Sequence, residues 1–77
     1  MEIQQFISHI AEQFDETDPT TITEQTNFKE LDDYSSLTAL NILSVIDDEY
    51  DVNLKGDDIR NSTTILDLFN LVKSKVD

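Results

Sequence analysis

The 77-residue sequence contains no cysteine and no tryptophan, one glycine, one proline and only five lysine or arginine residues. Without cysteine there is no disulfide framework, no thiolate zinc site and no thiol on the polypeptide itself. With so little glycine and proline, few points interrupt regular secondary structure. No segment approaches the ~18 consecutive apolar residues of a membrane span. Residues 1–5 also lack the basic start of a signal peptide, so we expect a cytoplasmic protein.

Acidic residues dominate what is present, since 17 aspartates and glutamates give a formal net charge of −12. Such a surface repels phosphate backbones and anionic lipid, so we expect neither nucleic acid nor membrane as a partner. It favours proteins with basic docking patches. Leucine, isoleucine, valine and phenylalanine together number 24, enough for one small domain over residues 1–77. We expect that domain to be a monomer.

Apolar residues at helical spacing in the first part of the chain predict a helix over residues 2–15. The stretch that follows has no such period, and its proline and clustered threonines predict a long loop. Isolated apolar residues in that loop predict that it lies across the helices instead of forming a free linker. They are Ile22, Phe28, Leu31 and Tyr34.

The remainder of the chain predicts three further helices. Ser35 can cap a helix that ends near Tyr50, and residues 57–61 fit one short helical turn. Thr64 and Asp67 form a cap-like pair at the start of a last helix, whose apolar face is Ile65, Leu68, Phe69, Val72 and Val76. The predicted fold is therefore all-α, a small four-helix bundle with three main helices, one short helix and a long first loop.

Residues 31–37 read L-D-D-Y-S-S-L, and residues 47–50 read D-D-E-Y at the end of the second predicted helix. This pattern resembles the acyl carrier protein family, whose attachment site reads D-S-L at the start of a helix ending in a run like E-E-E-F. The S-S-L at 35–37 occupies the D-S-L position. Residues 63–67 are similar to the start of that family's last helix, and the resemblance covers essentially the whole chain.

The resemblance implies that Ser36 carries a 4'-phosphopantetheine arm, attached covalently from coenzyme A by a phosphopantetheinyl transferase. Acyl groups would be held as thioesters on that arm for acyl-transferring and synthase enzymes of a fatty acid or specialised acyl or polyketide pathway. A helix start suits a phosphodiester because its free N–H groups and positive dipole end favour an anion. Taken alone, two serines before a helix are usually capping residues. We assign Ser36 and not Ser35 because Leu37 follows it directly.

Four residues near the attachment site depart from that family's pattern. Ser35 replaces the usual aspartate, Asp33 replaces a frequent glycine, and Thr38 and Asn41 stand where acidic residues are common. Serine still caps a helix, but negative charge near the site is lost. Both a housekeeping carrier of fatty acid synthesis and a carrier for a specialised pathway therefore remain open.

One face of the second predicted helix carries polar residues and a leucine, opposite the apolar side. This face comprises Leu37, Asn41, Ser44 and Asp48, and with Asp47 it is the predicted partner-docking face. The alternative is an ordinary solvated face with a single exposed leucine, which is common on protein surfaces.

The resemblance also implies that longer acyl chains slip between the helices. The candidates for lining that cleft are residues that any bundle core would also contain: Phe28, Leu43, Ile46, Leu54, Ile59 and Ile65. Peptidyl and D-alanyl carriers share the modified serine, and an acidic helical interaction module that is never modified is a further alternative. The acidic-aromatic run and the high negative charge favour acyl cargo.

An enzyme is not expected. Nucleophilic catalysis would need a base beside Ser36. The only histidine, His9, falls about 130° from the centre of the first apolar stripe and should be solvated. One histidine without cysteine does not make a zinc site. Residues 51–62 fit a calcium loop poorly, because Lys55 falls on a ligand position and Ser62 on the twelfth. We expect no catalytic residue and no specific metal site.

Overall fold

The computed structural model, which describes residues 1–76, is built from four α-helices without a strand in that range. Their bounds are α1 Ile3–Ala11, α2 Ser36–Tyr50, α3 Gly56–Asn61 and α4 Ile65–Val76. This confirms the predicted all-α bundle of three main helices, one short helix and a long first loop. Among the described helices, none is both long enough and apolar enough to cross a membrane.

Helix α1 ends at Ala11 and not near residue 15 as predicted. Beyond it the backbone tightens, with Gln13 N donating to Ile10 O and Phe14 N donating to Ala11 O, both at 3.0 Å. Such i→i+3 bonds are common at helix ends, where the last carbonyls lack helical partners. The tighter turn keeps Phe14 buried in the core.

The core lies where α1, α2 and α4 meet, with α3 packed against α2. The largest fully buried side chains come from three of the helices and from the first loop: Phe6, Phe28, Ile10, Ile42, Ile46, Ile65, Leu68 and Val72. Val76 continues the apolar face of α4, as predicted, but it is not part of the buried core. It is 44% exposed, because it is the last residue of the helix and lies outside the packed core.

The first loop spans residues 12–35 and contains two single turns of 3-10 helix, Pro19–Thr21 and Phe28–Glu30. Phe28 is fully buried and Ile22 nearly so, while Tyr34 packs edge-on against Phe28 with ring centroids 6.0 Å apart. The prediction that this loop lies across the bundle is confirmed.

His9 was predicted to be a solvated surface residue, but its side chain is largely covered by the end of α2. Its ring meets that of Tyr50 edge-on at a centroid distance of 5.8 Å, and its Nε2 lies 3.8 Å from Glu49 Oε1. Only 27% of its side chain is exposed, because the end of α2 packs beside α1 at this point. The Tyr50 hydroxyl is buried without a hydrogen-bond partner among residues 1–76. Burial, and secondarily the Glu49 charge, raise the pKa of Tyr50.

Candidate functional site

Ser36 is the first residue of α2, and its side chain is exposed. The helix begins there because Ser35 has extended backbone and caps it. Ser35 Oγ accepts from Thr38 N at 3.3 Å, and Thr38 Oγ1 accepts from Ser35 N at 3.2 Å. This is a reciprocal capping box in which threonine takes the place of the more usual Glu or Gln. The predicted start of this helix is confirmed.

Two backbone donors remain open beside the Ser36 hydroxyl. Ala39 N donates to Ser35 O at 3.0 Å and Thr38 N is capped. The N–H groups of Ser36 and Leu37 find no acceptor among residues 1–76. They lie at the positive end of a 15-residue helix. An exposed hydroxyl next to open N–H donors is the environment that a phosphodiester needs, so these residues fit such a group.

Asp33 connects the residues before this helix to the beginning of the first loop. Its Oδ2 accepts from Glu16 N at 3.0 Å and from Thr17 N at 3.2 Å, and its Oδ1 accepts from Thr17 Oγ1 at 2.6 Å. The hydrogen bond from the Thr17 hydroxyl, with smaller contributions from the backbone donors, lowers the pKa of Asp33. Its carbonyl accepts from Thr38 Oγ1 at 3.1 Å. Sequence reasoning missed this cluster, because no local pattern pairs positions 17 and 33.

Ser36 also lines a cleft of about 370 Å³ at the α2–α3 side of the bundle. Its walls are formed by Tyr34, Ser36, Ala39, Leu40, Leu43, Gly56, Ile59 and Arg60. Of the six residues predicted to line an acyl cleft, Leu43 and Ile59 lie on these walls. The other four are buried in the core: Phe28, Ile46, Leu54 and Ile65. A larger cleft of about 680 Å³ beside α1 does not include Ser36.

The outer face of α2 is exposed at every position of the predicted docking face: Leu37, Asn41, Ser44, Asp47 and Asp48. Leu37 is 66% exposed, and Leu40, which the prediction omitted, is 59% exposed. The spacing of three residues from Leu37 was the signal that could have placed Leu40 beside it.

The bundle and the exposed serine at its helix start are features of a carrier domain. Comparison with protein families agrees, because the family model described as phosphopantetheine attachment site matches residues 4–72. The chain belongs to this phosphopantetheine-attachment family of carrier proteins. Its members are non-catalytic carriers to which 4'-phosphopantetheine is attached covalently. No curated protein and no solved structure matches the chain.

Proposed function

We propose that this protein is an acyl carrier whose 4'-phosphopantetheine arm is attached to Ser36 Oγ. It holds acyl intermediates as thioesters for a fatty acid pathway or a specialised acyl or polyketide pathway. The observation that supports this assignment best is the exposed Ser36 hydroxyl beside the two open N–H groups at the start of α2.

Each residue at the helix start has a distinct part in this proposal. Ser36 Oγ loses its proton and forms a bond to the pantetheine-bearing phosphorus of coenzyme A, the pyrophosphate bond breaks, and adenosine 3',5'-bisphosphate leaves. The N–H groups of Ser36 and Leu37 then favour the negative charge of the phosphodiester. Ser35 and Thr38 hold the first turn in place by capping it. When attached, the arm supplies the thiol that this cysteine-free chain lacks.

Hydrogen bonding also favours Ser36 over its neighbour Ser35. Ser35 Oγ accepts from Thr38 N and lies 3.2 Å from Thr38 Oγ1. Modification there would break the helix cap. Ser36 Oγ makes no hydrogen bond among the described residues, so its modification leaves the cap intact.

The partner-docking face is proposed to have two parts, an apolar one near Ser36 and an acidic one farther along α2. Leu37 and Leu40 lie close to the serine, and no charged residue occurs in α2 before Asp47. Asp47 and Asp48 follow about 17 Å from Ser36 along the helix axis, at 1.5 Å per residue. This arrangement favours partners with an apolar contact near their active site and basic residues farther from it.

Apolar walls of the cleft beside Ser36 favour acyl cargo over a charged or polar one. Leu43 and Ile59 are its proposed contacts, and the four core residues of the predicted set would reach cargo only if the bundle opened. Peptidyl and D-alanyl carriers share the serine but have no specific observation in their favour here. We also propose that the protein is cytoplasmic. We propose a monomer because a net charge of −12 opposes self-association.

The assignment is tested by incubating the protein with coenzyme A, magnesium and a broad-specificity phosphopantetheinyl transferase, and then recording the intact mass. The wild type and Ser35→Ala should each gain one phosphopantetheine, and Ser36→Ala should gain none. Ser35→Ala is the matched control, because it removes the adjacent hydroxyl at the same helix start. No gain in the wild type would favour the unmodified interaction module instead.

A further inference from the structure

We infer that Asp33 and Thr38 are positioning residues that hold the turn carrying Ser36 in the conformation that the modifying enzyme requires. This inference rests on the attachment of the arm at Ser36. It concerns two residues that make no hydrogen bond to the Ser36 hydroxyl.

Thr38 joins the backbone before Ser36 to the backbone after it. Its side chain is buried, and its Oγ1 accepts from Ser35 N and donates to Asp33 O at 3.1 Å. Residues 33–38 therefore form a closed turn with Ser36 on its outer side. A buried hydroxyl with both partners in place restricts such a turn to one arrangement.

Asp33 then anchors this turn to the rest of the molecule. Its carboxylate accepts hydrogen bonds from the backbone N–H groups of Glu16 and Thr17 and from the Thr17 hydroxyl. Glu16 and Thr17 lie near the beginning of the first loop, and Asp33 lies near its end. Bonds to a charged acceptor are stronger than neutral ones. The carboxylate thus links the two ends of the first loop at a position three residues before Ser36.

Loss of these anchors should lower the fraction of molecules in which Ser36 is correctly presented. The apparent affinity of the transferase for the protein falls in proportion to the fraction of competent molecules. The rate at which a bound, competent molecule reacts does not change. A positioning role therefore predicts a higher transferase KM for the protein at constant kcat. A purely structural role would lower the melting temperature without this effect on KM.

The chain provides a matched control at the start of α4. Asp67 Oδ2 accepts from Thr63 N at 2.9 Å and from Thr64 N at 3.0 Å, so it also binds two backbone N–H groups before a helix. Asp33→Asn and Asp67→Asn remove the same charge and weaken the same kind of bond. Only the first variant acts next to Ser36.

The test compares wild type, Asp33→Asn, Thr38→Val, Thr38→Ser and Asp67→Asn in transferase kinetics, with folding checked by circular dichroism. We expect KM to rise about fivefold or more in Asp33→Asn and Thr38→Val with kcat within about twofold, as the loss of one or two net hydrogen bonds implies. Thr38→Ser keeps the hydroxyl and should restore the wild-type KM. Asp67→Asn should match the wild type.

Amide hydrogen exchange provides a readout that does not depend on the transferase. Asp33→Asn should speed exchange at Thr38 and Ala39 and leave Leu68, which is bonded to Thr64 O, unchanged. Asp67→Asn should do the reverse. Equal KM values for Asp33→Asn, Asp67→Asn and wild type would overturn the inference. It would also be overturned if Asp33→Asn changed the exchange rates at Thr38, Ala39 and Leu68 by the same factor. A wild type that is not modified at Ser36 would instead refute the proposed function.

Discussion

Helices α2 and α4 both begin with a hydroxyl residue that accepts a hydrogen bond from the third residue of the helix. In α4 the first two N–H groups, of Ile65 and Leu66, also donate to carbonyls of the first loop at 3.2 and 2.9 Å. Ile65 itself is fully buried. In α2 the corresponding N–H groups, of Ser36 and Leu37, are open and both side chains are exposed.

The difference between these two helix starts lies in what surrounds the cap and not in the cap itself. The first loop covers α4 and satisfies its donors, so that end of the helix is structural. The same loop passes α2 without covering its first turn. A capped helix start becomes available for an anionic group only where the neighbouring chain leaves donors and a nucleophilic oxygen exposed.

The largest contrast should appear in stability. Ile65→Ala removes fully buried methyl groups and should lower the free energy of unfolding by about 2–5 kcal/mol. Leu37→Ala, at an exposed position of α2, should change it by less than about 0.5 kcal/mol. Urea denaturation measures both. If Ile65→Ala does not fold, Ile65→Val with a loss of about 0.5–1.5 kcal/mol makes the same comparison, and equal effects at both sites would contradict it.

Amide exchange should separate the two starts again. Before modification, the Ser36 and Leu37 amides should exchange at least about tenfold faster than those of Ile65 and Leu66, because only the latter pair is hydrogen-bonded. After attachment of the arm, the Ser36 and Leu37 amides should slow and the Ile65 and Leu66 amides should not change. Nuclear magnetic resonance resolves each residue. Unchanged exchange at Ser36 and Leu37 would mean that these donors take no part in holding the group.

Acid should weaken both starts in the same way. Hydrogen bonds lower the pKa of Asp33, chiefly through the Thr17 hydroxyl, and the pKa of Asp67, chiefly through the Thr64 N–H, from the ordinary value of 3.8. A lowered folded-state pKa gives stability that is present above the unfolded pKa and is lost as pH falls through the folded one. The melting temperature should therefore decrease progressively below about pH 3.8.

Two variants isolate these contributions to the acid transition. Asp33→Asn and Asp67→Asn should each make the decrease of melting temperature with pH less steep, while Leu37→Ala should reproduce the wild-type curve. Thermal melts followed by circular dichroism at successive pH values give the slopes. Wild-type slopes in both asparagine variants would show that neither carboxylate contributes.

The smallest effect should come from salt. Crowded carboxylates repel one another in a chain of net charge −12, and raising sodium chloride from about 0.05 to 0.5 M screens that repulsion. The melting temperature should rise by a few degrees, and magnesium should raise it further. Because screening acts on the whole surface, wild type, Asp33→Asn and Asp67→Asn should shift in parallel. A melting temperature insensitive to both salts would contradict this prediction.

Local patterns predicted most of the fold and the position of Ser36. The Thr64–Asp67 pair and the Ser35 cap are readable from sequence because their partners lie within four residues. The bond between Asp33 and Thr17 joins residues 16 positions apart, so only the folded loop brings them together. The helix start at Ser36 was therefore predicted, but not the Asp33–Thr17 cluster beside it.

Two surroundings that the sequence did not reveal have the same origin. His9 lies off the apolar stripe of α1, yet the ring of Tyr50 from α2 contacts it. Val76 continues the apolar stripe of α4 beyond the point where other elements pack against it. Helical periodicity describes one element at a time, and it does not report which neighbours that element meets.

The measurement that tests the central claim most directly is the location of the attached group in the wild-type protein. After modification by a phosphopantetheinyl transferase, proteolysis and tandem mass spectrometry of the peptide containing residues 35 and 36 should assign the added mass to Ser36 alone. That result would link the open start of α2 to the chemistry of the family. Fragments that carry the mass on Ser35 would contradict it, as would fragments that carry it on a residue of any other helix.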